Sequence, residues 1–420
     1  MRVAGSLATK LAPPFSLVLH YFSAGVLFNL LGLILLFFFS EGFKEPFFSI
    51  HYAAEIHLFL LGFVIMVIFG ALYQLIPVAL EIPVYSFKLG YIQFYMYTVG
   101  ITLFVVSLLI RDFFSLLPLG ALFLYISILI FIFNFFVSLG KLEKFDITSR
   151  FLIGANISFF IGISLGIFLA LNFVYGFYSG DIFHIIIAHI IFTLFGFVFM
   201  VVMGVSMVLL PMFSLAHKFN NIYINISFYI MVVSVFGGGI LVLFLKDSAV
   251  YYSVFLLIFS AFIFYLIQVF EIYRKRPRRT KDTGMDIMFF SHLFLFGSVI
   301  FGVLIPFSQK LIFLFGITLI FGFLNFLIYG SLYKIVPFLT WFHRFSPLVG
   351  KKEVPMLNDM LPKNIPDTQI LVSSSGFLIL IASILLEFKG LFTVSVLIMS
   401  LGSLLFAYVY IYVLKFKLEE

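Results

Sequence analysis

The chain has 420 residues, of which 63% are hydrophobic and 10% charged, with 63 phenylalanines and a formal net charge of +7. No soluble core needs that much apolar side chain, so the composition excludes an ordinary water-soluble architecture and points into a bilayer. The lack of any cysteine excludes disulfides, thiolate metal sites, iron–sulfur ligation and covalent heme attachment, leaving His, Met, Tyr, carboxylate and amide groups to hold a cofactor.

Long apolar runs separated by short charged or Pro/Gly-bearing links predict about twelve transmembrane helices. In chain order they cover 13–39, 51–79, 88–110, 115–139, 151–175, 183–212, 221–245, 249–272, 286–308, 310–336, 368–388 and 390–414. The expected fold class is an all-α membrane protein, because lipid forces backbone groups to be satisfied within each span and no run alternates with period two. Met1–Lys10 is short and basic and runs straight into the first span, so that helix is expected to be retained. Lys44, Arg111, Lys246, Lys310 and Lys389 fall in one set of alternate links, and all the other Lys and Arg fall in the second set with the two termini. The bias predicts both termini in the cytoplasm and a multi-pass protein of the cell inner (plasma) membrane. The basic stretch Arg274–Lys281 reads as a topology signal meeting anionic lipid, so the bilayer is the expected partner and nucleic acid is not.

An internal repeat runs through the spans. Gly, seven residues, Gly, six residues, Pro occurs at Gly62, Gly70, Pro77 in the second span, at Gly196, Gly204, Pro211 in the sixth, and at Gly322, Gly330, Pro337 in the tenth. The glycines are expected to allow close helix approach, and the prolines to end or bend each helix. Three parallel four-helix repeats follow, approximately 13–139, 151–272 and 286–414, in one transmembrane domain over 1–420 with a pseudo-threefold plan. Residues 338–367, with four prolines, read as an ordered cytoplasmic link able to dock a partner subunit.

This plan, with the stretch HLFLLGFVIMVIFGALYQLIP at 57–77, resembles the catalytic subunit I of the heme-copper oxidase superfamily, which includes nitric oxide reductases. In that family an early His on the second helix ligates a low-spin heme. The segment YKIVPFLTWFHRFSPLVGKKEVPMLNDMLP at 333–362 is similar to uncharacterised oxidase-like proteins. The resemblance implies heme b as cofactor. It also marks departures, because the tenth span has no His between Phe313 and Pro337 and residues 221–245 have none. The copper-site histidines are therefore missing, no copper is expected, and dioxygen reduction is not.

His57 and His189 lie about two turns into apolar helices, at the depth where the oxidases hold their hemes. Their offsets from Gly62 and Gly196 differ by two residues, which rotates them roughly 160° apart on the common template. In one geometry they face a shared crevice as axial ligands of one heme iron. In another they point into separate crevices, and in a third they are structural, bonded to carbonyls or to Glu55. Glu55 stands where His189 stands on the template, and could orient an imidazole or carry a proton; a carboxylate there is expected to need a partner. His20 and His292 each precede a glycine by five residues and read as structural hydrogen-bonding groups, with a second, inner heme as the sharper alternative. His51, His184, His217 and His343 read as solvated or interfacial. Phe37–Phe39 read as lipid-facing, Tyr73 and Tyr333 as an interfacial belt, and Met200, Met203 and Met207 as core.

The resulting expectation is a heme b-binding membrane protein for electron transfer or diatomic gas (NO or O2) binding. If it is an enzyme, it is a membrane oxidoreductase. The alternative is a cofactor-free assembly or heme-handling factor, or a carrier, associated with a respiratory complex. A respiratory-chain subunit or quinone is the partner either reading suggests, and a homo-oligomer stays open.

Overall fold

The computed structural model describes residues 11–38, 50–217, 219–277, 281–308 and 310–417. Twelve helices among them are long and apolar enough to cross a bilayer, and the chain is a multi-pass membrane protein. They are α1 (Phe15–Phe38), α2 (Ile50–Ala79), α3 (Phe87–Leu109), α4 (Arg111–Leu139), α5 (Ile147–Tyr175), α6 (Phe183–Ser214), α7 (Ile222–Phe244), α8 (Ser248–Arg274), α9 (Thr283–Val303), α10 (Lys310–Arg344), α11 (Ile365–Leu385) and α12 (Lys389–Lys415). No strand occurs among the described residues.

Several starts are capped as the sequence chemistry requires. Side-chain oxygens of Ser86, Asp146, Asp247 and Asp282 accept first-turn N–H groups of α3, α5, α8 and α9, and α5 ends on Gly176 at φ 61°. The prolines, expected to end or bend their helices, do not end them at once. α2 continues to Ala79, α6 to Ser214 and α10 to Arg344, so Pro77, Pro211 and Pro337 sit inside them. Each deprives only one upstream carbonyl of its N–H partner, and near a helix end that costs little.

Contacts gather into two compact units, one of Met1–Ala24 with Ile50–Arg278 and the other of Gly25–Ser49 with Arg279–Glu420. Within the first, α1 packs on α2 at Gly70, where a methyl group would lie 2.8 Å from Tyr21 Cβ and 2.9 Å from the Phe22 ring. Further along, α5 packs on α6 at Gly204, where a methyl would lie 2.7 Å from Phe151 Cβ. Within the second unit α9 packs on α10 at Gly330, 2.7 Å from Met288 Cγ and 2.8 Å from the Gly284 carbonyl. The second glycine of the sequence template thus does the same work three times, seating α1 on α2, α5 on α6 and α9 on α10.

The first template glycine shares another local feature. Gly62, Gly196 and Gly322 each lie inside a π-helical stretch, Leu58–Ile65, Ile191–Phe199 and Thr318–Leu324. Each stretch interrupts an otherwise α-helical span, which shifts the phase of the residues before it relative to those after.

Buried polar clusters tie helices together in both units. In the first, Tyr21 (2.5 Å) and Tyr73 (2.9 Å) donate to Gln93 Oε1, and Tyr21 also donates to the Gly90 carbonyl. In the second, Asn29 Oδ1 accepts from Tyr329 (2.7 Å) and Ser403 (2.6 Å), and its amide donates to Asn325 Oδ1. Tyr333 donates to Gln369, 2.9 Å away. Tyr73 and Tyr333 are therefore not an interfacial belt: they are 1% and 5% exposed, because a glutamine on a neighbouring helix offers each phenol an acceptor inside. Met200, Met203 and Met207 are buried as core. Phe38 is exposed as expected of a lipid-facing ring, and Phe39 lies outside the described residues.

After α10 the link is ordered by its own contacts. Trp341 Nε1 donates to the Pro355 carbonyl at 2.9 Å, and Phe345 and Met360 are buried. Beside it, Lys334 pairs with Asp282 at 2.5 Å and Lys281 with Asp367.

Two outcomes are expected. Gly204→Ala destabilises the detergent-solubilised protein by about 1–3 kcal/mol through overpacking, whereas Gly237→Ala, where nothing lies within 4 Å of a built methyl group, is neutral or mildly stabilising; thermal unfolding of the pair measures the difference. Asn29→Ala removes the acceptor of two buried hydroxyls and lowers stability by about 1–2 kcal/mol, given roughly 0.6 kcal/mol per interhelical hydrogen bond in lipid.

Candidate functional site

The α-helical opening of α2 ends at His57, and that of α6 ends at Ile190, one residue past His189. Both helices belong to the first unit. The two imidazoles meet: their ring centroids are 6.3 Å apart and the planes differ by 20°. The rings face each other, as in the first of the three geometries the sequence allows, and each is also bonded to a carbonyl, as in the third.

Each ring is held by its Nδ1. That of His57 lies 2.6 Å from the Ala53 carbonyl on its own helix, and that of His189 lies 2.8 Å from the Gly162 carbonyl on α5. A carbonyl only accepts, so each Nδ1 carries the proton and donates, and each Nε2 presents a lone pair. Neither Nε2 has a protein hydrogen-bond partner among the described residues, and both side chains are half-buried rather than sealed.

The walls explain how the rings are placed. A methyl group on Gly166 would lie 2.9 Å from His189 Cε1, so Gly162 supplies the carbonyl and Gly166, one turn on, makes room for the ring. Thr193 donates to the His189 carbonyl at 2.6 Å, occupying it where the π-helical stretch disturbs the ladder. On the other side the Phe104 ring of α3 lies 5.1 Å from that of His57. Gly162, Gly166, Phe104 and Thr193 were not singled out from the sequence. The spacing of Gly162 and Gly166 in an apolar span is a legible small-residue face, while nothing marks Phe104 among 63 phenylalanines.

Glu55 departs from expectation. It is 3% exposed, and neither carboxyl oxygen has a hydrogen-bond partner among the described residues. It orients neither imidazole through Nδ1, since both are taken by carbonyls. Its neighbour Ala54 belongs to an apolar cluster with Leu108, Leu117, Ala121 and Ala170, which offers no donor.

The remaining histidines stay apart from this pair. His20 donates from Nδ1 to the Ser16 carbonyl and meets Phe94 edge-on. His292 donates to the Met288 carbonyl and meets Phe323. Each bond spans four residues of one helix, as that of His57 to Ala53 does. His217 is exposed, as expected. His184, expected to be solvated or interfacial, is 5% exposed at the start of α6.

What the pair can do follows from its donor set. Metal–imidazole bonds run about 2.0–2.1 Å, so two imidazoles opposed across one ion hold their ring centres roughly 6 Å apart. Two rings with that spacing between centres, each fixed through Nδ1 to a carbonyl, have a donor set that could hold a heme iron. Among the described residues no group of three or more His, Asp or Glu side chains gathers to hold an ion. No family model matches the chain, and no curated protein sequence does.

Proposed function

We propose that this chain is a b-type heme protein of the cell inner membrane, in which His57 and His189 hold one heme iron from opposite sides for electron transfer. The observation that carries this reading is the facing of two imidazoles 6.3 Å apart, both with Nδ1 committed to a carbonyl. Held by both His57 and His189, a heme would supply one-electron chemistry and would leave no coordination position for a gas. The carbonyls of Ala53 and Gly162 keep each ring in one tautomer and one orientation, which lowers the reorganisation that accompanies a change of charge. The Phe104 ring and the apolar cluster it packs against give the His57 side of the pair an apolar wall.

In this reading the triple glycine template reflects a pseudo-threefold arrangement of four-helix repeats, like that of the oxidases. A copper centre and oxygen reduction are not part of it, since α7 has no histidine and α10 has only His343, at its far end. A respiratory complex or quinone would supply and remove the electrons, and both termini lie on the basic, cytoplasmic side.

Purified protein is expected to show a low-spin Soret band that shifts on dithionite reduction, with about one heme per chain. His57→Ala and His189→Ala should each lose most of it while eluting as monodisperse protein; wild-type heme content in both variants overturns the assignment. The native chain has no cysteine, so single substitutions test the topology. Ser179→Cys should react with a membrane-impermeant maleimide on intact cells, and Ser346→Cys only after permeabilisation.

A further inference from the structure

At the end of α12 the second unit leaves a half-open groove of about 740 Å³. Tyr408, Ile411, Tyr412 and Lys415 line it from one helix face, at spacings of three and four residues, and Lys417 and Asp359 stand at its rim. Tyr408, Ile411 and Tyr412 are exposed among the described residues. Lys415 and Lys417 form no ion pair among the described residues. Asp359 is turned back on its own loop, where its Oδ2 accepts the Met356 N–H at 2.9 Å.

We propose that this groove binds the headgroup of an anionic phospholipid, its phosphate between Lys415 and Lys417 and its acyl chains along the apolar edge of α12. Three features argue for a lipid. The groove opens where a membrane span ends, at the level where tyrosines and cationic side chains collect. Its walls grade from apolar Ile411 to charged Lys415 within one helical turn, matching an amphiphile. Its size lies in the range of small-molecule sites, roughly 300–1,000 Å³, and unpaired lysines just beyond a span attract anionic headgroups.

The test uses the full chain in detergent, titrated separately with phosphatidylglycerol, phosphatidylcholine and inorganic phosphate, and read by native mass spectrometry and by the shift in melting temperature. Phosphatidylglycerol should bind saturably and the other two should not. The double variant Lys415→Ala/Lys417→Ala should bind phosphatidylglycerol about tenfold more weakly or less, and Lys351→Ala/Lys352→Ala should bind it as the parent does. Equal affinity in the two double variants overturns the site. Equal binding of phosphatidylcholine overturns the role of the phosphate pair with lysine, and saturable binding of inorganic phosphate at the same lysines makes the ligand a soluble anion and overturns the lipid.

Discussion

Close backbone approach at glycine is the constraint on which the rest of the structure depends. In water, burial of apolar side chains drives helices together; in lipid that drive is missing, and packing must come from contact itself. At Gly70, Gly204 and Gly330 the partner helix comes so near that a single methyl group would meet carbon atoms under 3 Å away. Those contacts seat α1 on α2, α5 on α6 and α9 on α10, and the deep positions of the inner helices follow from them. Buried hydroxyl and amide groups then add direction, as where Asn29 collects Tyr329 and Ser403.

The number and rough extent of the spans were legible because each is an uninterrupted apolar run, and length alone separates a span from a buried soluble helix. The glycine template was legible for a related reason: the absence of a side chain is a positional requirement that recurs at fixed spacing. The prolines left a choice open, since each was expected to end or bend its helix, and α10 continues seven residues past Pro337. Tyr73 and Tyr333 misled because the sequence shows a tyrosine near a span's end but not the glutamine on a neighbouring helix that lets it stay inside.

The histidine pair was legible only in part. That His57 and His189 could face one another followed from their offset on the template, and the rings do meet. What orients them was not legible: the Gly162 carbonyl comes from a third helix, and the carboxyl expected to help, Glu55, has no hydrogen-bond partner among the described residues. A side chain's depth in a span can be counted along the sequence, but its hydrogen-bond partner depends on which helices are adjacent.

The π-helical stretches at Leu58–Ile65, Ile191–Phe199 and Thr318–Leu324 divide each inner helix into two segments with independent rotational phase. The segment toward the proline is locked by its glycine contact, while the segment before the stretch can be re-aimed by adding or deleting one residue, a turn of about 100°. On this architecture, chains that share the glycine frame can differ in which side chains look into the crevice through a one-residue change in length, with every contact on the proline side left in place.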